Sequence, residues 1–192
     1  MARPATPKKP PIGLKAPEPS TTPAPVQKPE TSANSVNEDA EPLRFAICHW
    51  LVGDTLVFSA LDYDQNPPQN QHQLLANILR AIGRLNSSLA EPELVQWPLV
   101  TNAPGGEQEA KAMFSSLLRG RVEQSNCNLV LVMGQRAGQF LLPEEQRDPN
   151  RYPLSEQCQL VVTPGLDEML ADGATKRITW DLLRTLVSNA NQ

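Results

Sequence analysis

From Gln71 onward, helix-period and strand-sized apolar segments alternate, and that order restricts the fold more than any other feature of the chain. Leu74, Leu75, Ile78, Leu79 and Ile82 recur at helical spacing and stop at Gly83, a good C-terminal cap. Glu93–Trp97 predicts a short strand stopped by Pro98. A second amphipathic helix is expected after Gly105-Gly106, with Ala110, Met113, Phe114, Leu117 and Leu118 on one face and an end near Gly120. Asn128–Met133 is an apolar run bounded by polar residues, as a central parallel strand should be, and Gly134 turns it into a helix through Ala137 to Leu142. A polar loop, Pro143–Pro153, precedes another buried strand, Gln159–Val162, closed by Thr163-Pro164-Gly165. A helical turn over Leu166–Leu170 is interrupted at Asp172-Gly173. Ile178, Leu182, Leu183 and Leu186 then mark the last helix, with Trp180 beside them.

Helices and strands in that order imply a three-layer α/β/α domain with a mainly parallel central sheet. Upstream, Arg44–Val52 and Thr55–Leu61 flank Gly53-Asp54 and predict a hairpin that adds antiparallel strands. Asp62–Asn70, with two prolines, reads as a loop.

The residues before Leu43 do not belong to this pattern. Ten of the 19 prolines lie in residues 1–42, a stretch without an aromatic residue. Such a segment cannot bury enough apolar surface to offset its ordering entropy, so a disordered proline-rich tail (1–42) is expected before the α/β domain (43–192). The tail has one apolar island, Ile12-Gly13-Leu14, among prolines. It is either part of a solvated linker or a short anchor that folds onto a partner.

The net charge of −4 falls wholly on the domain, where 12 Lys/Arg face 16 Asp/Glu from Leu43 onward. Sequence-independent nucleic-acid binding needs a clustered basic surface, and the domain has no basic run, so no strong direct DNA contact is expected. Cys48, Cys127 and Cys158 are odd in number and widely spaced, and His49 and His72 are the only histidines. That pattern fits neither a disulfide scaffold nor a standard zinc site, and no cofactor is expected. No secretory apolar run follows the first basic residues and no span is long enough for a bilayer. A cytoplasmic location is expected.

Few residues suggest catalysis. Gly134-Gln135-Arg136-Ala137-Gly138 sits where phosphate loops occur but matches neither nucleotide motif, so close helix-on-sheet packing is the simpler reading. Cys48 and His49 are adjacent on a strand, hence on opposite faces, and cannot act as a nucleophile–base pair. Asp62 and Asp64 follow a strand end, where carboxylates can do acid–base work, but no partner group accompanies them and turn duty is expected. His72 is expected at the surface.

Two stretches carry a resemblance. Leu129–Gly134 with Ala137 and Leu141-Leu142 resembles the strand–Gly–helix unit of the uracil-DNA glycosylase superfamily. Val161–Leu166, followed by Met169-Leu170, Lys176-Arg177, Trp180, Leu182-Leu183 and Leu186, resembles that superfamily's closing segment, and Leu74–Gly83 is similar to its leucine-rich helix. The likeness covers roughly residues 70–187. Two departures stand out: Thr163, before Pro164, occupies the place of the glycosylase histidine, and Asp62-Tyr63-Asp64-Gln65-Asn66-Pro67-Pro68 replaces the water-positioning first motif.

The ending Thr163–Leu170, Lys176-Arg177, Trp180 and Leu183 also resembles the psi-subunit family of bacterial DNA polymerase III, which has a degenerate glycosylase-like fold. That resemblance implies a non-enzymatic accessory subunit bridging the clamp loader to chi, and through chi to single-stranded-DNA-binding protein. It leaves Asp62, Asp64, Thr163 and Pro164 as degenerate loop positions. The family's clamp-loader peptide is an N-terminal Leu/Gly/Ile/Trp motif; Ile12 and Leu14 are the candidate counterpart, without the Trp. The alternatives are a divergent uracil-DNA glycosylase using Asp62 or Asp64, and an unrelated adaptor whose tail recruits a partner.

Overall fold

Strand β1 (Phe45–Val52) and β2 (Thr55–Leu61) pair antiparallel around a two-residue turn, with Val52 opposite Thr55. Gly53 takes φ +60° at the first turn position, a backbone state that matches the twist of the flanking strands and that glycine adopts freely. The computed structural model describes residues 43–100, 105–143 and 150–189. The chain divides into two units, Met1–Asp39 and Ala40–Gln192, and every described residue lies in the second. The expected tail, with Ile12 and Leu14, lies outside the described residues.

Helix α1 (Gln69–Ala81) follows the Pro67-Pro68 loop. Its end is closed by two bonds, from the Arg84 amide to the Leu79 carbonyl and from the Gly83 amide to the Arg80 carbonyl, the pair expected of a Schellman cap. Then come β3 (Glu93–Trp97), α2 (Glu107–Ser125), β4 (Leu129–Met133), α3 (Gln135–Leu141), β5 (Arg151–Pro153), β6 (Gln159–Thr163), α4 (Leu166–Ala171) and α5 (Gly173–Asn189). Glu109 reaches back to the Gly106 amide (2.9 Å) at the start of α2, and Asp172 accepts from the Ala174 amide (2.9 Å) at the start of α5.

The sheet order is β3-β1-β2-β4-β6-β5. Side chains alternate between two cores along every long strand. Ala46, Cys48, Trp50, Val57, Leu131, Met133 and Val161 face one core, which α1, α4 and α5 cover through Leu75, Leu79, Leu166, Met169 and Leu183. Phe45, Ile47, Leu56, Phe58, Val130, Val132 and Leu160 face the other, covered by α2 and α3 through Ala110, Phe114, Leu118, Ala137 and Phe140. The three-layer α/β/α arrangement follows directly from this period of two.

The expectation of a mainly parallel sheet needs correction. Only β2–β4 and β4–β6 are parallel pairs; β1–β2, β1–β3 and β5–β6 are antiparallel, so the sheet is mixed. The tight turn forces β1 against β2 with opposite sense. Strand β3 returns from α1 in the sense of β2 and docks on the free side of β1 instead.

Three local expectations also change. Helix α2 runs through Gly120 to Ser125 because Val122 still packs on the second core, and it ends at Asn126 in the left-handed region (φ +46°). A mid-helix glycine costs about 1 kcal/mol, which the half-buried Val122 offsets in part. Within the expected polar loop, Arg151–Pro153 is a strand on the outer side of β6, and Arg151 is fastened to α5 by bonds to the Leu182 carbonyl and Thr185 Oγ1. On α5, Leu183 and Leu186 pack on the first core as expected, but Ile178 is 54% exposed and Thr179 is buried in its place.

Candidate functional site

The carboxyl ends of β2 and β4 open into a cleft of about 510 Å3, where two parallel strands end side by side and open sheets commonly bind ligands. Its polar lining includes Asp62 and Gln65 from the loop after β2, Arg136 from α3, and Asp167 and Glu168 from the first turn of α4. Arg136 Nη1 donates to Asp62 Oδ1 at 2.8 Å, and its Nη2 donates to the Arg44 carbonyl at 3.2 Å. The guanidinium also lies 5.5 Å from the Phe45 ring centre, so it is held from three sides.

The cleft thus carries three carboxylates against one guanidinium, and that guanidinium is already engaged with a carboxylate. Such a lining repels a phosphate backbone.

At its rear, two loops meet backbone to backbone. Gly134, with φ +89° and ψ 150°, would bring a Cβ to 3.3 Å from the Gly165 Cα, so the position admits glycine for both conformation and space. Its amide donates to the Thr163 carbonyl at 2.9 Å. The glycine-bearing loop after β4 therefore serves close packing against the loop after β6.

The four sequence-derived loop positions divide. Asp62 lines the cleft. Asp64 takes a left-handed turn (φ +60°) and accepts from Gln96 Nε2 of β3 at 3.0 Å, away from the cleft lining. Thr163 ends β6 at 3% exposure, and its hydroxyl donates to the Pro164 carbonyl at 3.1 Å. Pro164 then leads through Gly165 into α4. Sequence reasoning did not find Arg136, Asp167 or Glu168 as cleft residues. Their signal was position alone: each lies within three residues of a glycine at the end of a parallel strand.

A second polar group lies toward the opposite end of β1. His49 is 3% exposed, stacks on Phe58 (5.5 Å), and shares a recess of about 210 Å3 with Glu93 and Arg121. Its Nε2 lies 3.5 Å from Glu93 Oε2, and neither ring nitrogen has a hydrogen-bond partner among the described residues. Burial lowers its pKa below 6.5, the Arg121 charge lowers it further, and Glu93 opposes both. Cys48 points to the other face, and its thiol donates to the Ser59 carbonyl (3.3 Å); burial pushes its pKa up to about 12, which leaves it unreactive. His72 Nε2 lies 3.2 Å from the Ala90 carbonyl.

Among the described residues, no three His, Cys, Asp or Glu side chains group to hold a metal ion, and no helix is long and apolar enough to cross a membrane. No protein-family model, curated protein or solved structure matches the chain.

Proposed function

We propose that this protein is a psi-like, non-catalytic accessory subunit of a bacterial DNA polymerase III holoenzyme. In that role it links the clamp loader to chi, and through chi to single-stranded-DNA-binding protein, in the cytoplasm. Thr163 carries the reading. It stands where the glycosylase resemblance requires a histidine, it is buried, and its hydroxyl is engaged by the adjacent Pro164 carbonyl. Base excision needs a group that stabilises the departing base and a pocket that holds a flipped nucleotide. Here the strand-end cleft is spanned by the Asp62–Arg136 pair, and its charged lining is three carboxylates against that one guanidinium. Both cores are meanwhile complete on both faces of the sheet. A scaffold that keeps its cores but lacks the histidine and a base-binding lining in its cleft is what a protein kept for its surfaces would retain.

One observation favours the rival glycosylase reading: Asp62 does line the cleft at the end of β2. An assay on uracil-containing single- and double-stranded DNA separates the two. The psi-like reading predicts no alkali-labile cleavage above a Asp62→Ala, Asp64→Ala, Thr163→Ala variant. Cleavage that this variant abolishes would establish the glycosylase.

A further inference from the structure

Trp180 is 46% exposed, the most open of the three tryptophans, and it lies at the lip of a groove between α1 and α5. Leu74 and Ile78 of α1 form one wall, Leu183 and Trp180 of α5 the other, and Met169 of α4 lies in the lining between them. The groove holds about 200 Å3, and apart from Asn77, Lys176 and Thr179 its lining is apolar. That volume is below the roughly 300–1,000 Å3 of a small-molecule site and suits one large apolar side chain. Exposed Trp beside Arg is the composition of an interface centre rather than of ordinary surface.

The rim has its own charge. Lys176 lines the groove and Arg177 follows it on the exposed face of α5; of the two acids flanking them, Asp181 is paired with Arg184 at 3.3 Å and Asp172 is taken up by the Ala174 amide and the Thr175 hydroxyl at the helix start. A local basic rim on a domain of net charge −4 selects an acidic occupant.

We propose that this groove docks an acidic segment of a partner protein, which inserts one phenylalanine- or leucine-sized side chain between Ile78 and Trp180. The charges disfavour the other occupants. A second copy of this chain, packed symmetrically, sets Lys176 and Arg177 against their own equivalents. The chain's own Ile12–Leu14 island lies in a segment with Arg3, Lys8, Lys9, Lys15 and Lys28 against Glu18 alone, so it brings the same sign of charge. The inference stands on the groove and its rim and does not require the psi-like reading.

The test uses the full chain and a fluorescein-labelled ten-residue peptide of Asp, Glu and Ser with one central Phe, followed by anisotropy. Controls replace the Phe by Ala, or the acids by Lys. The proposal predicts saturable binding of the acidic Phe peptide alone, weakened by added salt. It also predicts a loss of about tenfold or more with Trp180→Ala and separately with Lys176→Glu plus Arg177→Glu, while far-ultraviolet circular dichroism is unchanged. Absence of binding, or binding indifferent to both variants or to the control peptides, overturns it. So does a dimer in sedimentation that Trp180→Ala dissociates, since the occupant is then a second copy. Peptide binding that emerges only when Ile12→Asp and Leu14→Asp are introduced overturns it too, because the occupant is then this chain's own segment.

Discussion

Arg136 Nη1 and Asp62 Oδ1 meet at 2.8 Å across 74 positions of sequence, joining the loop after β2 to the start of α3 over the mouth of the strand-end cleft. Both side chains are substantially open to solvent, at 44% and 68% exposure, which limits what the ion pair itself contributes. Arg136 does more than pair: it also bonds the Arg44 carbonyl and rests on Phe45.

The two ends of this pair are therefore expected to behave differently on substitution. Asp62→Asn should change stability by about 0.5 kcal/mol or less. Arg136→Ala should cost about 1 kcal/mol, because it also removes the ring contact and the backbone bond. Urea unfolding with an unchanged m-value measures both. Equal costs would mean that the ion pair alone holds the loop.

Gly134 offers a sharper test of the fold. With φ +89°, ψ 150° and the Gly165 backbone in the way, Gly134→Ala should lose about 1–3 kcal/mol, several degrees in thermal midpoint. Gly83→Ala is the matched control, since Gly83 also has positive φ (+73°) but open space around it. Gly83→Ala should therefore cost less. The reverse order would contradict the close approach of the two loops.

The sequence carried most of the sheet and both cores, because buried strands are written locally. Leu129–Met133 is uniformly apolar, β1 and β2 alternate between two faces, and Leu75, Leu79 and Ile82 recur at helical spacing. What it did not carry depends on distant partners. The three residues of β5 are a strand only because β6 offers an open edge and α5 receives Arg151. The polar lining of the cleft was illegible for the same reason: no local pattern announces that Arg136 will meet Asp62. The burial of Thr163 and the exposure of Ile178 depend on how α4 and α5 lie against the sheet, which helical period alone leaves one position uncertain.

His49 predicts a pH dependence with a definite sign. Its folded pKa lies below the ordinary 6.5, so the unfolded chain binds more protons in that window. The stability contributed by keeping the ring neutral is complete above about pH 6.5 and is lost as pH falls from there through the folded pKa. The thermal midpoint should decline on acidification from pH 7.5 to 5.5. His49→Phe, which keeps a ring against Phe58, should flatten that decline. An unaltered slope in the variant would place its origin in other groups.

A psi-like domain persists for a protein surface and not for base chemistry. Size-exclusion chromatography tests this, run on the full chain with chi and, separately, with clamp loader from the same organism, in wild-type form and with Ile12→Asp plus Leu14→Asp. A psi-like chain should form a complex with chi that survives moderate salt, as a partly apolar interface of roughly 1,200–2,000 Å2 should, and that is indifferent to the two tail substitutions. Those substitutions should instead weaken any clamp-loader complex. Failure of the wild-type chain to co-elute with chi at micromolar concentrations would rule out a psi-like role.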